Sequence, residues 1–400
     1  MDRRRNPFAP GAGTPPPELA GRHGLIEDAA VALDRIRDGR SAKSMIFYGL
    51  RGVGKRVLLT TIRNQAEADG LIVVAMEAPE NRSLPAMLVP ALRASLLKLD
   101  RMKQASHAIK HALRALAGFV KPRVSYEGLV IAVNLEPEPG LADSGDLETD
   151  LADLMRAAGE AAKAHDTAIV LAIDELQYVP EDELAALISA LHRAQQLQLP
   201  VTLIGAGLPQ LLGQMGRAKS YAERLFAFVP LGALDRDAAF DAIRIPLAHE
   251  GATITDPALV AIYRETEGYA YFLQEWGKHA WDLADVSPID EADVRDANIA
   301  AIAELDASFF RVRFDRLSPA EKRYLRAMAE LGPGPHRSGD IAERLGVKVV
   351  NVGPTRNSLI RKGMVYSPAY GDTAFTVPLF DAFMRRIMPS PGKASAWLER

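Results

Sequence analysis

The sequence has 400 residues, 48% of them hydrophobic and 25% charged, which is typical of a soluble globular protein with about two or three domains. It contains no cysteine, which excludes disulfides, thiolate metal sites and cysteine nucleophiles and fits a reducing cytosol. The net charge is −3, but the residues from 311 onward hold 16 Lys/Arg against 8 Asp/Glu, whereas the first 310 hold 32 against 43. This asymmetry predicts a C-terminal module that faces a polyanion.

The first 22 residues carry charges but lack the apolar segment of a signal peptide, and no run approaches the ~18 apolar residues of a membrane span. We therefore expect a cytoplasmic protein that does not bind membranes. Residues 6 to 17 are rich in proline and glycine, which predicts a flexible lead-in over residues 1–18.

Four apolar runs predict buried strands, namely SMIFYG (44–49), LIVVAMEA (71–78), TAIVLAIDE (167–175) and LPVTLIGAG (199–207). Helical patterns lie between them, at 84–118, 147–164 and 181–197. Strands that alternate with helices predict an α/β fold with a parallel sheet covered on both faces. Period-two alternation over 123–140 predicts an inserted β-hairpin.

Strand patterns stop after Leu231, and residues 235 to 303 read as four helices, which predicts an all-α lid. From Leu317 the pattern is three helices followed by a hairpin. The predicted domains are a core (19–232, with the hairpin at about 122–140), a lid (233–308), a winged-helix domain (309–389) and a tail (390–400).

The stretch GLRGVGKR follows a predicted strand and opens a predicted helix, which is the context of a phosphate-binding P-loop. Glycines let backbone N–H groups turn towards phosphates, the helix N-terminus adds partial positive charge, and Lys55 reaches the β and γ oxygens. We expect ATP or ADP to be bound by Gly49, Gly52, Val53, Gly54, Lys55, Arg56 and Val57.

Arg56 stands where the pattern G-x-x-x-x-G-K-S/T requires a hydroxyl for Mg²⁺. A guanidinium has only donors and cannot be a metal ligand, and Thr60 lies about 5.4 Å further along the helix. Two arrangements remain open. In the first, Arg56 points outward and Mg²⁺ is held by water and by a second acidic motif. In the second, the arginine charge takes the place of the metal. Hydrolysis is expected to be slow in both cases.

The second acidic motif is AIVLAIDE, in which a buried strand ends in two carboxylates. We expect Asp174 to hold Mg²⁺ and Glu175 to polarise the attacking water. Carboxylates at the end of an apolar strand cost free energy unless they are paired with a ligand or a counter-charge. The carboxyl ends of the strands are also the usual ligand site of an open sheet.

The C-terminal pattern predicts a helix-turn-helix with a wing, whose third helix, VVNVGPTRNSLIRKG, would enter the major groove of duplex DNA. Pro354 is expected to kink that helix. We expect Arg356 and Asn357 to reach base edges, and Arg337, Lys348, Arg361 and Lys362 to contact phosphates. The alternative is a winged helix that docks protein.

GLRGVGKR and LAIDELQYV, with PPELAGR upstream, resemble the origin-recognition-type AAA+ ATPases of bacteria, which are close to the STAND signal-transduction NTPases. The likeness extends through LPVTLIGAGLPQL, TEGYAYFLQEWGKHAW and FFRVRFDRLSPAEKRYL to MVYSPAYGDTAFTVPLF. It implies a P-loop core, a helical lid and a C-terminal winged helix.

Carried over by motif, the resemblance implies that Gly21 and Arg22 lie beside adenine and that Asp174 and Glu175 form the Walker B pair. Arg224, in YAERLF, would match the arginine that touches the γ-phosphate of a neighbouring subunit, which implies self-association. Besides Arg56, two departures stand out: IGAG (204–207) has no polar sensor side chain, and GYAYFLQ (268–274) has no lid arginine.

Two functions follow from these motifs. The first is an ATP-dependent switch that hydrolyses slowly and transmits its state to DNA through the winged helix. The second is a non-catalytic, nucleotide-locked regulator or scaffold whose winged helix docks protein.

Overall fold

The computed structural model describes residues 1–11, 15–78, 82–103, 107–120 and 136–389. The chain divides into two compact units. The sheet unit holds Gly21–Gly49 and Gly54–Leu231, and the helical unit holds Met1–Ala20, Leu50–Val53 and Gly232–Arg400.

The sheet unit is built on a five-stranded parallel sheet in the order β2-β3-β4-β1-β5. Its strands are β1 (Ser44–Tyr48), β2 (Ile72–Glu77), β3 (Ile169–Asp174), β4 (Val201–Gly207) and β5 (Phe226–Pro230). Every residue of β3 and β4 is buried, because these central strands are covered on both faces. The α/β fold and the four predicted strands are confirmed, whereas β5 was not predicted.

The helices of this unit pack on the sheet, and α3 to α8 share one hydrophobic core with it. They are α1 (His23–Arg37), α2 (Lys55–Ala68), α3 (Leu84–Lys103), α4 (His107–Val120), α5 (Leu147–Lys163), α6 (Glu181–Gln196), α7 (Leu211–Ala218) and α8 (Ala222–Leu225). Because the strands are parallel, all their carboxyl ends meet at one edge. That edge carries the loop after β1 and the carboxylates after β3.

The helical unit begins with four helices where the sequence predicts them: α9 (Arg236–His249), α10 (Asp256–Thr266), α11 (Ala270–Leu283) and α12 (Glu291–Ala307). Side-chain N-caps define the first residues of three of these helices. The Asp235, Thr255 and Asp290 side chains each accept backbone N–H bonds at a helix N-terminus, and Asp290 forms a reciprocal capping box with Asp293.

The remainder of this unit consists of short helices and a small antiparallel sheet in the order β6-β8-β7. The helices are α13 (Phe309–Asp315), α14 (Pro319–Leu331), α15 (Ser338–Leu345), α16 (Gly353–Arg361) and α17 (Phe380–Ile387), and the strands are β6 (His336–Arg337), β7 (Val365–Tyr366) and β8 (Asp372–Phe375). We call residues 309–389 the C-terminal module. Within the helical unit, the Arg51 amide of segment Leu50–Val53 donates to Thr376 O over 3.1 Å.

Pro354 does not kink the third helix of the C-terminal module, so that expectation was wrong. The helix α16 begins at Gly353, and Pro354 occupies its first turn. A first-turn residue has no intrahelical partner for its N–H, so proline costs nothing there. The preceding residues Val349–Asn351 form a separate 3-10 turn rather than part of the helix.

The N-terminal segment differs from the flexible lead-in expected from its composition. Arg3–Arg5 form a 3-10 turn, and Phe8 is buried against α11. A Cβ at Gly277 would lie 2.7 Å from the Phe8 ring, so only glycine admits this ring. The Trp281 indole N–H donates to Asp2 O over 2.9 Å. One aromatic side chain thus ties a proline-rich segment to the helices.

Most of the predicted β-hairpin at about 122–140 and the predicted tail (390–400) lie outside the described residues. Within the part of the chain that the structure describes, no helix has the length and apolar character needed to cross a membrane.

Candidate functional site

The loop between β1 and α2 has the backbone of a phosphate-binding loop. Gly52 and Gly54 have φ values of +86° and +92°, a region that side-chain-bearing residues rarely adopt. Gly49 N donates to Gly207 O over 3.2 Å, which joins the start of the loop to the end of β4. The positions predicted to bind nucleotide therefore have the conformation that such a loop needs.

Lys55 is the first residue of α2 and is 9% exposed. Its Nζ donates to Gly49 O over 2.8 Å, so the ammonium group lies across the base of the loop. Val57, two residues on, is in the first turn, where its carbonyl accepts from Thr61. Val53 is buried and belongs to the segment grouped with the helical unit.

Arg56 turns towards the acidic edge of the sheet rather than outward. Its Nε donates to Asp174 Oδ2 over 2.7 Å, and its NH2 group forms an ion pair with Glu77 at the end of β2. Burial lowers the pKa of Arg56, but the hydrogen bonds and charges of these two carboxylates outweigh burial and raise it. The structure therefore does not have the outward-pointing Arg56 of the first arrangement, and the second, in which the arginine charge takes the place of the metal, stays a prediction.

Asp174 has both carboxylate oxygens engaged. While Oδ2 accepts from Arg56, Oδ1 accepts from the backbone N–H of Glu175 over 2.8 Å. Burial raises the pKa of Asp174, and the hydrogen bond from Arg56 opposes that shift without cancelling it. Mg²⁺ needs oxygen ligands in near-octahedral geometry. The residues here do not fit that ion, because the hydroxyl position is a guanidinium and the aspartate is already bound to it.

Glu175 is held to one side by a residue that the sequence analysis missed. Glu175 has φ +55°, and its carboxylate accepts a hydrogen bond from the Gln177 side-chain amide. Gln177 is 5% exposed, and its Oε1 accepts from Leu208 N over 3.0 Å. One side-chain amide therefore connects the end of β3 to the residue that follows β4.

Gln177 also lies where the expected sensor side chain is absent. A Cβ on Gly207 would lie 2.9 Å from Gln177 Oε1 and 2.7 Å from Leu211 Cδ2, so no larger residue fits at this end of β4. The sequence signal was the stretch DELQYV, in which a glutamine follows the acidic pair within a 3-10 turn. Glu77, the second partner of Arg56, was likewise missed, although it ends a predicted strand.

The remaining predicted residues of the sheet unit lie further from these contacts. Gly21 has φ +68°, and Arg22 caps the start of α1. Arg224 is exposed on the short helix α8, and no acidic side chain of the described residues forms an ion pair with it. Among the described residues, Arg224 does not form a surface ion pair with Glu223 or Asp235. Its intersubunit role stays a prediction.

The sequence over residues 18–204 matches a family model described as an AAA ATPase domain, and residues 307–384 match one described as a domain of unknown function. Among curated proteins, no sequence matches this chain. A Walker-type ATPase of Pyrococcus abyssi has a similar structure, with a TM-score of 0.58 at 15% identity, over 93% of this chain and 97% of that one. Residues 18–204 are thus similar to AAA ATPase domains, and the chain shares the fold of a P-loop ATPase of known structure.

Two other solved structures align less closely with the whole chain. The Orc1 protein of Aeropyrum pernix in complex with DNA gives a TM-score of 0.45 at 16% identity, covering 93% of this chain and 94% of that one. The RuvB Holliday junction branch migration motor of Thermotoga maritima gives a TM-score of 0.44 at 16% identity, covering 93% of this chain and 97% of that one.

Two of the residues predicted to contact DNA make bonds inside the C-terminal module. The Arg356 guanidinium donates to Thr373 Oγ1 (2.7 Å), Ser367 Oγ (2.8 Å) and Asp372 O (2.9 Å), which fastens α16 to the β7–β8 hairpin. Lys362 Nζ donates to Glu321 Oε2 over 2.7 Å. Both side chains therefore stabilise the module, contrary to the expectation that they are free for bases or phosphates.

The other four predicted DNA contacts are exposed: Arg337, Lys348, Asn357 and Arg361. Exposed apolar side chains lie beside them in the sequence. Val350 is 77% exposed, Val349 53% and Val347 44%, while Tyr370 in the turn between β7 and β8 is fully exposed. This surface thus mixes cations with apolar groups.

Gln177→Met should destabilise the sheet unit by roughly 1–3 kcal/mol, because methionine keeps the volume but leaves the buried Leu208 N–H without an acceptor. The measurement is urea unfolding followed by far-UV circular dichroism. Gln196→Met, at an exposed position of α6, is the matched control and should be neutral. Equal stability of the two variants would contradict this role of Gln177.

Glu321 should make the stability of the C-terminal module pH-dependent. Burial alone raises the pKa of Glu321, but hydrogen bonds from Lys362, Ser318 and Ser358 outweigh it and lower the pKa from 4.5 to about 2. A lowered folded-state pKa stabilises the fold above the unfolded value, and this stabilisation is lost as pH falls towards the folded value. Glu321→Gln should therefore destabilise at about pH 7, and the difference from the wild type should shrink between about pH 4.5 and pH 2.

The measurement is the denaturant midpoint of both proteins across that range. Glu343→Gln, on the exposed face of α15, serves as the control. A difference that stays constant with pH would contradict the assignment.

Proposed function

We propose that this chain binds ATP or ADP with the Arg56 guanidinium in the place of the metal ion, and that it hydrolyses ATP slowly. The observation that carries the proposal is the 2.7 Å hydrogen bond from Arg56 Nε to Asp174 Oδ2. The charge next to the phosphate-binding lysine is then a fixed +1 on the protein rather than an exchangeable divalent ion.

Nucleotide binding is supported by the loop backbone and by Lys55. The glycine conformations at 52 and 54 and the N-terminus of α2 provide N–H donors for phosphate oxygens. The Lys55 ammonium group donates to the Gly49 carbonyl, and it can exchange this acceptor for a phosphate oxygen by rotating its side chain. Gly21 and Arg22 are proposed to lie beside the adenine.

We attribute slow hydrolysis to the hydrogen bonds that the two acidic residues already accept. Asp174 is bound on both oxygens, and the Glu175 carboxylate already accepts from Gln177. A base that is hydrogen-bonded to a buried amide is less available to polarise water. Lys55 and Arg56 hold the phosphate charge, and Glu175 is the residue proposed to activate water when Gln177 releases it.

We further propose that the nucleotide state is transmitted to DNA by the C-terminal module, which would act as a winged helix. Three helices followed by a hairpin are consistent with that motif, and α16 would be the helix in the major groove. The exposed cations Arg337, Lys348 and Arg361 would contact phosphates. Arg224, exposed and without an ion pair among the described residues, is proposed to reach the nucleotide of a second copy.

Arg56→Thr should restore a metal site, because threonine supplies the missing hydroxyl and frees Asp174 Oδ2. We expect ATP turnover to rise at least about tenfold in Mg²⁺, since metal ions contribute several kcal/mol of charge stabilisation in phosphoryl transfer. Mg²⁺ should also raise the melting temperature of this variant and leave that of the wild type unchanged. Phosphate release and thermal melting measure the two effects.

The matched control is Arg63→Thr, which removes a half-buried arginine from the same helix. It should resemble the wild type in both measurements. If Arg56→Thr neither gains turnover nor responds to Mg²⁺, Arg56 is not the group that replaces the metal.

A second candidate for the C-terminal module is protein docking, in keeping with a nucleotide-locked scaffold. The exposed Val347, Val349 and Val350 just before α16 favour this alternative. Surfaces that contact phosphates are polar and basic, whereas exposed apolar clusters mark protein interfaces.

Binding to duplex DNA at several salt concentrations separates the two functions. If the module binds DNA, the logarithm of affinity should fall linearly with the logarithm of salt, and replacing Arg337, Lys348 and Arg361 by alanine should reduce the slope by about one per residue. The control replaces three exposed arginines elsewhere in the helical unit, Arg3, Arg4 and Arg295. No salt-dependent binding, or equal effects of the two triple variants, would favour protein docking.

A further inference from the structure

Three potential metal ligands meet between helices α11 and α12 of the helical unit. Glu275 and His279 are one turn apart on α11, and Glu304 projects from α12. One ligand atom from each lies within 4.8 Å of the other two. The i,i+4 spacing places the first pair on one helix face, and the packing of the two helices brings the third residue to it.

Glu275 is a buried carboxylate with an unsatisfied oxygen. It is 3% exposed, and its Oε1 accepts from the Tyr271 hydroxyl over 2.9 Å. Its Oε2 is buried and has no hydrogen-bond partner. An ionised carboxylate in this position requires a counter-charge.

His279 offers a second unsatisfied ligand atom. Its Nε2 is buried and has no partner in hydrogen-bond geometry, although Glu304 Oε2 lies only 3.0 Å away. The imidazole side chain is 12% exposed, so water competes little for this nitrogen. Glu275 Oε2, which has no hydrogen-bond partner, and His279 Nε2 therefore lie near the same carboxylate.

Glu304 closes the cluster from the solvent side. Its side chain is 42% exposed, and Lys278 Nζ donates to its two oxygens over 2.9 and 3.0 Å. Lys278 is the only cation other than histidine at this cluster among the described contacts, and it does not bond Glu275. The Lys278 side chain is 28% exposed, and its flexible stem lets Glu304 exchange this ammonium for a metal ion.

We propose that Glu275, His279 and Glu304 bind a divalent transition-metal ion of the zinc class. Zn²⁺ accepts both imidazole nitrogen and carboxylate oxygen as ligands, with bonds of about 2.0–2.2 Å, whereas Mg²⁺ and Ca²⁺ prefer oxygen alone. The ion neutralises the buried Glu275 carboxylate and cross-links α11 to α12. Tyr271, through its bond to Oε1, orients the glutamate.

The test is a titration of the metal-free, full-length protein with Zn²⁺ against a chelating indicator. The wild type should bind one ion per chain at this site, and His279→Gln and Glu304→Gln should each weaken that binding by at least about 100-fold. The matched control is the double variant His107→Gln/His111→Gln, which removes two histidines at i,i+4 spacing on α4, away from the proposed site. It should retain the wild-type affinity.

A second measurement guards against misfolding of the variants. Zn²⁺ should raise the melting temperature of the wild type by preferential binding to the folded state, but not that of Glu304→Gln, in which only a half-exposed side chain changes. Absence of stoichiometric Zn²⁺ binding, or equal affinity in the wild type and in both site variants, would overturn the proposal. Equal affinity for Mg²⁺ would overturn the assignment to the zinc class.

Discussion

The ion pair between Arg56 and Asp174 is the constraint on which the candidate site depends. Asp174 ends a fully buried strand, so its carboxylate is only 10% exposed and has to be neutralised by something nearby. In a metal-dependent P-loop site that neutralisation comes partly from an ion held by a hydroxyl. Here the residue after Lys55 supplies it directly, through a guanidinium whose side chain is 39% exposed.

The same pair explains the arrangement around it. Once Arg56 lies between the ends of β2 and β3, Glu77 becomes its second partner and Glu175 turns away through a left-handed backbone conformation. Gln177 then holds the Glu175 carboxylate and, through Leu208 N, the end of β4. Hydrogen bonds thus connect Glu77, Arg56, Asp174, Glu175 and Gln177 into one polar cluster, whose buried members are Asp174 and Gln177.

The sequence was sufficient for the features that depend on local pattern. Four apolar runs predicted β1 to β4, and the missing hydroxyl at Arg56 was visible in eight residues. The fifth strand was missed because Phe226–Pro230 is short, lies at the sheet edge and ends in proline, so its pairing with β1 decides its conformation. The sequence also could not predict the role of a side chain whose partners are distant in the chain. Arg356 donates to Thr373 and Asp372, which come close to it only after the β7–β8 hairpin has formed.

The most direct test of the central claim is the affinity of the wild-type protein for ATP and ADP, each measured in Mg²⁺ and in a chelator. If the Arg56 guanidinium takes the place of the metal, both nucleotides bind with the same affinity in the two conditions. Binding that is tight only in Mg²⁺ would contradict the account, because Asp174 would then have to release Arg56 to accept the ion.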